Sequence, residues 1–67
     1  MNKAKLEGRI AECGYNLTTF AKAINMPYAT LYRKVNGDTE FTISEAIAVC
    51  NALNLPLEER TIIFLAG

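Results

Sequence analysis

A cluster of side chains suited to binding lies between positions 28 and 36 of the chain. The guanidinium of Arg33 presents paired donors that match the edge of a guanine base. Ala29 is small enough to contact a thymine methyl group, and the hydroxyls of Tyr28 and Tyr32 can bond to a base or a phosphate. Residues of these types in one short stretch favour recognition of a nucleic acid over a chemical reaction.

Neighbouring polar residues extend this candidate surface along the chain. They are Thr18, Thr19, Thr30, Lys34 and Asn36. Hydroxyl groups in the first turn of a helix suit phosphate oxygens, as at Thr18 and Thr19, together with the amides of that turn. Lys34 and Asn36 come late in the stretch, where contact with the backbone of a duplex is favoured over contact with a base.

Each candidate also has a structural interpretation that involves no ligand. Arg33 and Lys34 are residue types that commonly keep an exposed helix solvated. Tyr28 and Tyr32 are four positions apart, so their rings can stack on each other or pack against the preceding helix. Thr30 can turn inward as a small core residue. The joint placement of these residues in one motif is what favours the binding interpretation.

Two short helices joined by a tight turn are predicted to position these side chains. Asn16 is a good N-cap for a helix over 17–24. Asn25 falls at the turn, where the backbone needs a positive φ that Asn tolerates well. Proline can open the next helix, over 27–35, and Gly37 can end it in the left-handed conformation. This is the layout of a helix-turn-helix.

Three further helices complete the predicted fold. Asn2 can cap a first helix that runs to about Cys13. Thr42 followed by Glu45 forms a capping box that starts a fourth helix, and a fifth is predicted over 57–65. The 67 residues are therefore expected to form one all-α domain, a compact set of five short helices with the helix-turn-helix at helices 2 and 3.

Composition and residue types argue against several classes of protein. The chain has no histidine, and Cys13 and Cys50 lack the close spacing of metal ligands. It contains no phosphate-binding loop and no dinucleotide-binding glycine pattern. We therefore expect no metal, no cofactor and no catalytic residue. The polar N-terminus is unlike a signal peptide, and reduced cysteines fit a cytoplasmic protein.

The charge is distributed unevenly although its net value is zero. Residues 13–37 contain three cations and no carboxylate, whereas residues 38–67 contain five carboxylates and one cation. The positive charge is thus concentrated in the predicted helix-turn-helix, where a nucleic acid would lie. Weak non-specific affinity for DNA is expected, because this small number of cations can neutralise only a few phosphates.

The order of these motifs from about Leu6 to Leu65 resembles the lambda-repressor-like family, including the small phage Cro-type and Xre-type regulators. The matching residues are Ala21, Ile24, Asn25, Met26, Thr30, Leu31, Arg33, Asn36, Gly37, Phe41, Thr42 and Ile43. Three positions depart from the family pattern: Asn25 replaces a turn glycine, Pro27 replaces a serine cap, and Leu17 replaces a glutamine that clamps a phosphate. The resemblance implies a sequence-specific regulator of transcription that reads the major groove with helix 3. Among the candidate residues, Thr30, Arg33 and Lys34 match the family's DNA contacts most closely.

The C-terminal segment is more apolar than an exposed chain end requires. Its adjacent side chains cannot all face one core. They are Ile62, Ile63, Phe64 and Leu65. One interpretation is a homodimer contact, which would pair with a pseudo-palindromic operator whose half-sites lie one helical turn apart. The other is that a small core consumes all four side chains.

A second function also fits the sequence. The chain can be a protein-binding modulator, such as an antirepressor, built on a helix-turn-helix scaffold, because a fold alone does not establish DNA binding. The zero net charge, Leu17 in the place of the phosphate clamp, and the two tyrosines permit this interpretation. The dependence of binding on salt distinguishes the two, since contacts with DNA weaken steeply as salt rises.

Overall fold

A computed structural model describes residues 1–65, and its regular structure over that range is helical. The helices are α1 (Lys3–Glu12), α2 (Leu17–Ala23), α3 (Tyr28–Val35), α4 (Ile43–Ala52) and α5 (Leu57–Arg60). After α5 the chain widens into a π-helical segment, Thr61–Leu65, which we call the C-terminal turn. The predicted all-α fold with five helices is confirmed for the described residues. The single domain predicted for the 67 residues also includes Ala66 and Gly67, which lie outside the described range.

Side-chain caps begin three of the helices. The Asn2 side chain accepts a hydrogen bond from the Lys5 N–H at 3.1 Å and so caps α1. The Thr42 hydroxyl accepts from the Glu45 N–H while the Glu45 carboxylate accepts from the Thr42 N–H, which confirms the predicted capping box of α4. A second capping box, between Asn16 and Thr19, starts α2.

A residue with positive φ follows each of the first four helices. The φ values are 84° at Gly14, 56° at Asn25, 86° at Gly37 and 51° at Asn54. The next N–H in each case donates back to a carbonyl of the last helical turn, as from Met26 to Ala21 at 2.9 Å. These are Schellman motifs, which satisfy the carbonyls left unpaired at a helix end. They reverse the chain sharply between successive helices.

Helices α1 to α4, the segment 53–55 and the C-terminal turn share one core, to which α5 contributes no buried side chain. The buried side chains are Leu6, Ile10, Phe20, Ala21, Leu31, Val35, Val49, Cys50, Leu53, Leu55 and Ile63. No polar or charged residue among positions 1–65 is buried with them. The Asn2 N–H also donates to the Ile63 carbonyl at 2.7 Å, which joins the C-terminal turn to the start of α1. None of the described helices is both long and apolar enough to cross a membrane.

Candidate nucleic-acid interface

The packing of α2 against α3 decides which side chains of α3 reach solvent. Leu31 and Val35 are fully buried against the core. Ala21, also buried, keeps the α2 backbone close to the turn that leads into α3. Side chains on the other side of α3 therefore point outward, as the 3.6-residue period requires. The exposed residues of this reading face are Tyr28, Ala29, Tyr32 and Arg33.

The two tyrosines of the reading face stack on each other. Their ring centroids lie 6.0 Å apart with an angle of 30° between the ring planes. Each remains about half exposed, 48% for Tyr28 and 47% for Tyr32. Of the two packing interpretations considered for them, mutual stacking is the one observed. The pair therefore forms a fixed aromatic ridge at the start of α3.

Most of the basic side chains have partners inside the molecule. The paired residues are Lys3 with Asn36, Lys5 with Glu59, Arg9 with Glu12 and Glu59, Lys34 with Glu45, and Arg60 with Asn51. Lys22 and Arg33 have no hydrogen-bond or ion-pair partner within residues 1–65. Both belong to the helix-turn-helix. Among residues 1–65, the basic side chains without an internal partner are thus these two of the motif.

Lys34 does not share the exposure of its neighbour Arg33. Its Nζ donates to the Glu45 carboxylate at 2.8 Å and to the Glu40 carbonyl at 3.0 Å, and its side chain is 12% exposed. The bond from Lys34, followed by the bond from the Thr42 N–H, lowers the pKa of Glu45. Lys34 therefore ties the end of α3 to the start of α4.

The remaining candidates occupy two kinds of position. Thr18 is exposed in the first turn of α2. The Thr19 hydroxyl is engaged in the α2 capping box and donates to the Asn16 carbonyl at 3.2 Å. Thr30 is half-buried, and Asn36 accepts a bond from Lys3 at 2.9 Å. Thr19 and Asn36 thus have internal bonds that shape the motif, whereas Thr18 is open to solvent.

Two features of the site were not chosen from the sequence. Lys22 was counted among the basic residues of the motif but was not selected as a DNA contact. It is a candidate contact because, unlike most of the other cations, it has no internal partner within residues 1–65. Leu17, at the position where the resemblance described above implies a phosphate-clamping glutamine, is half-buried and packs on the core. This position therefore contributes to packing in this chain and offers no polar group to a phosphate.

The described residues contain no group of three or more His, Cys, Asp or Glu side chains that could hold a metal ion. Cys50 is buried, and this burial raises the pKa of its thiol despite the nearby charge of Arg60. Cys13 is exposed. A neutral thiol is a poor nucleophile, so the environment of Cys50 favours a packing role.

Comparison with known proteins gives one family match. A family model described as helix-turn-helix matches residues 6–60, which include most of α1 and all of α2 to α5. No curated protein and no solved structure matches the chain.

Proposed function

Because the chain belongs to the lambda-repressor-like helix-turn-helix family, a family of DNA-binding regulators, we propose that it is a sequence-specific regulator of transcription. The finer assignment is a small phage or prophage regulator of the Cro or repressor type. In this proposal α3 enters the major groove, and its first residues face the base edges, as in other helix-turn-helix proteins.

The placement of the unpaired cations is the observation that carries this proposal. Carboxylates or amides neutralise or occupy most of the basic side chains outside the motif, whereas Lys22 and Arg33, within it, have no partner in the described part of the chain. The segment 13–37 also carries no carboxylate that would repel a phosphate. A neutral protein therefore presents a locally positive helix-turn-helix, which is the electrostatic requirement for binding DNA.

The proposed contacts follow from exposure and chemistry. Arg33 has the free, planar donors that fit the O6 and N7 atoms of guanine. Thr18 and Lys22 are proposed to bind phosphates, and Ala29 to meet a thymine methyl. Thr30, at the boundary of the reading face, is proposed as a minor contact. Three other candidates support the motif through internal bonds: Thr19, Lys34 and Asn36.

A homodimer is part of the proposal and is supported by an exposed apolar face on α4, α5 and the C-terminal turn. Ile43, Leu57 and Leu65 are 83%, 79% and 77% exposed, and Ile47 lies beside them. These residues line a groove of about 210 Å³. Within the C-terminal segment Ile63 is consumed by the core, Phe64 and Leu65 line the groove, and Ile62 is 41% exposed outside its lining. We propose a second copy of the chain as the occupant of this face. A dimer would bind DNA more tightly than one protomer, because two protomers together double the small number of phosphate contacts that each can make.

The same apolar face is the observation that favours the alternative, a protein-binding modulator or antirepressor. A different protein with an apolar surface would bury the same side chains. Such a complex would bury few charges and would respond weakly to salt, in contrast to a complex with DNA. The two functions are therefore separable in one titration.

Selection of duplexes from a randomised pool by the purified protein tests the proposal. The expected result is an inverted repeat with half-sites about 10 base pairs apart. Arg33→Ala should then relax the preference at one base position in each half-site. Lys22→Ala is the matched control: it should weaken binding to all sequences alike and reduce the salt dependence, by about one unit of slope per protomer. A folded protein that enriches no sequence would transfer the assignment to the protein-binding alternative.

A further inference from the structure

We propose that the stacked rings of Tyr28 and Tyr32 read thymine by packing against its 5-methyl group, so that the operator half-site carries thymine beneath the start of α3. This inference rests on the proposed function and deepens it, because it names a base and the side chains that select it. It assigns the tyrosine rings, rather than their hydroxyl groups, to recognition.

The residue types on α3 leave few other means of reading a base. Residues 28–35 include no Asn, Gln, Ser, Asp or Glu. Arg33 is the unpaired side chain on this helix whose donors fit a base edge. The rest of the reading face is Tyr28, Ala29 and Tyr32, which is largely apolar. The thymine methyl is the apolar group that the major groove presents; its position distinguishes A·T from T·A, and its presence distinguishes both from G·C and C·G.

The geometry of the pair suits such a contact. The ring centroids lie 6.0 Å apart with 30° between the planes, so the two rings present one continuous aromatic surface. Neither hydroxyl has a hydrogen-bond partner within residues 1–65, and about half of each side chain is open to solvent. Binding therefore buries apolar ring surface.

Charge favours DNA over an apolar protein as the occupant of this ridge. Arg33 is adjacent to Tyr32 in the chain, and no carboxylate occurs from position 13 to position 37. The exposed aliphatic side chains of Ile43, Leu57 and Leu65 lie on other elements, α4, α5 and the C-terminal turn. The aromatic ridge is thus the apolar part of the positively charged motif.

Replacement of thymine by uracil in the selected operator tests the proposal, since it removes the methyl group and leaves base pairing intact. Loss of one buried methyl contact should weaken binding of the native protein about fourfold. This loss should occur at one or two positions in each half-site. Tyr32→Ala should bind the thymine operator more weakly and should no longer distinguish thymine from uracil at the position beneath that ring.

Tyr32→Phe is the matched control, because it keeps the ring and removes the hydroxyl. It should retain the full sensitivity to the methyl group. If Tyr32→Phe instead loses affinity and the native protein ignores uracil, the hydroxyl makes the contact and the proposal is overturned while DNA binding stands. An operator without thymine in this part of the half-site also overturns it. If a folded protein selects no DNA, the proposed function and this inference both fail, and Tyr28→Ala and Tyr32→Ala should then be tested for loss of a protein partner.

Discussion

Asn25 is the residue on which the sharp turn between α2 and α3 depends. Its φ of 56° lies in the left-handed region, which Gly adopts without strain because it lacks a Cβ and which Asn and Asp tolerate better than other residues do. Its side chain makes no hydrogen bond within the described residues, so the cost of replacing it should be conformational. Asn25→Ala should lower the free energy of unfolding by about 1 kcal/mol, measured by urea denaturation.

Asn25→Gly is the matched variant for this prediction. Glycine adopts positive φ without strain but has more freedom when unfolded, so its stability should stay within about 0.5 kcal/mol of the native protein. The same contrast is expected at Asn54, where φ is 51°. Equal destabilisation by alanine and glycine at position 25 would contradict the argument, since it would mean that side-chain contacts, not φ, select Asn.

Arg33 and Lys34 are adjacent cations whose side chains lie in different environments. Arg33 is exposed and unpaired among the described residues, whereas Lys34 bonds to Glu45. Arg33→Ala should leave the unfolding free energy within about 0.5 kcal/mol of the native value and should impair DNA binding. Lys34→Ala should lower stability more than Arg33→Ala does. Urea denaturation and operator titration of both variants check this, and the reverse order of stability would contradict the assignment.

At the scale of the elements, much of the fold follows from local signals. The caps at Asn2, Asn16 and Thr42 each act on a backbone N–H three residues away, so the sequence contains both partners of the bond. Gly14 and Gly37 are local signals of another kind, because the tolerance of positive φ is intrinsic to glycine. Helix boundaries were therefore predictable to within one or two residues, apart from the widening of α5 at Thr61.

The distribution of free cations could not be predicted in this way. Lys34 and Glu45 are 11 positions apart, and Arg9 and Glu59 are 50 apart. Whether such pairs form depends on how α1, α3, α4 and α5 pack, which no local pattern specifies. The candidate contacts consequently included Lys34, which the fold pairs with Glu45, and left out Lys22. The reading face itself was predictable, because burial of Leu31 and Val35 follows from helical periodicity.

Two carboxylates whose ion pairs join elements, Glu45 and Glu59, make stability depend on pH. Burial tends to raise the pKa of Glu59, but the bond and charge of Arg9, with the charge of Lys5, lower it overall. The pKa of Glu45 is also lowered, chiefly by Lys34. A carboxylate whose pKa is lowered in the folded state stabilises the fold at pH values above the ordinary pKa of that group, 4.5. That contribution is lost as the pH falls through the lowered pKa.

Stability should therefore decline on acidification below about pH 4.5, measured as the melting temperature by circular dichroism. Glu45→Gln removes one titrating group, so this variant should be less stable at neutral pH and should lose less of its stability on acidification. Glu58→Gln serves as the control, since Glu58 is exposed and has no ion pair within residues 1–65. A steeper acid loss in Glu45→Gln than in the native protein would contradict the assignment.

At the scale of the whole molecule, dimerisation links the apolar face to DNA binding. Each protomer offers few free cations to phosphates, so a single copy should hold a half-site weakly, and two copies joined on one duplex gain from effective concentration.

Leu57→Glu changes a side chain that is 79% exposed, so the fold should survive. It should shift the protein to a monomer in sedimentation and reduce affinity for the inverted repeat far more than for an isolated half-site. Ala48→Glu places the same charge on an exposed site of α4 that does not line the groove, and it should alter neither property. A native protein that sediments as a monomer both alone at high concentration and on the inverted repeat would contradict the proposed dimer.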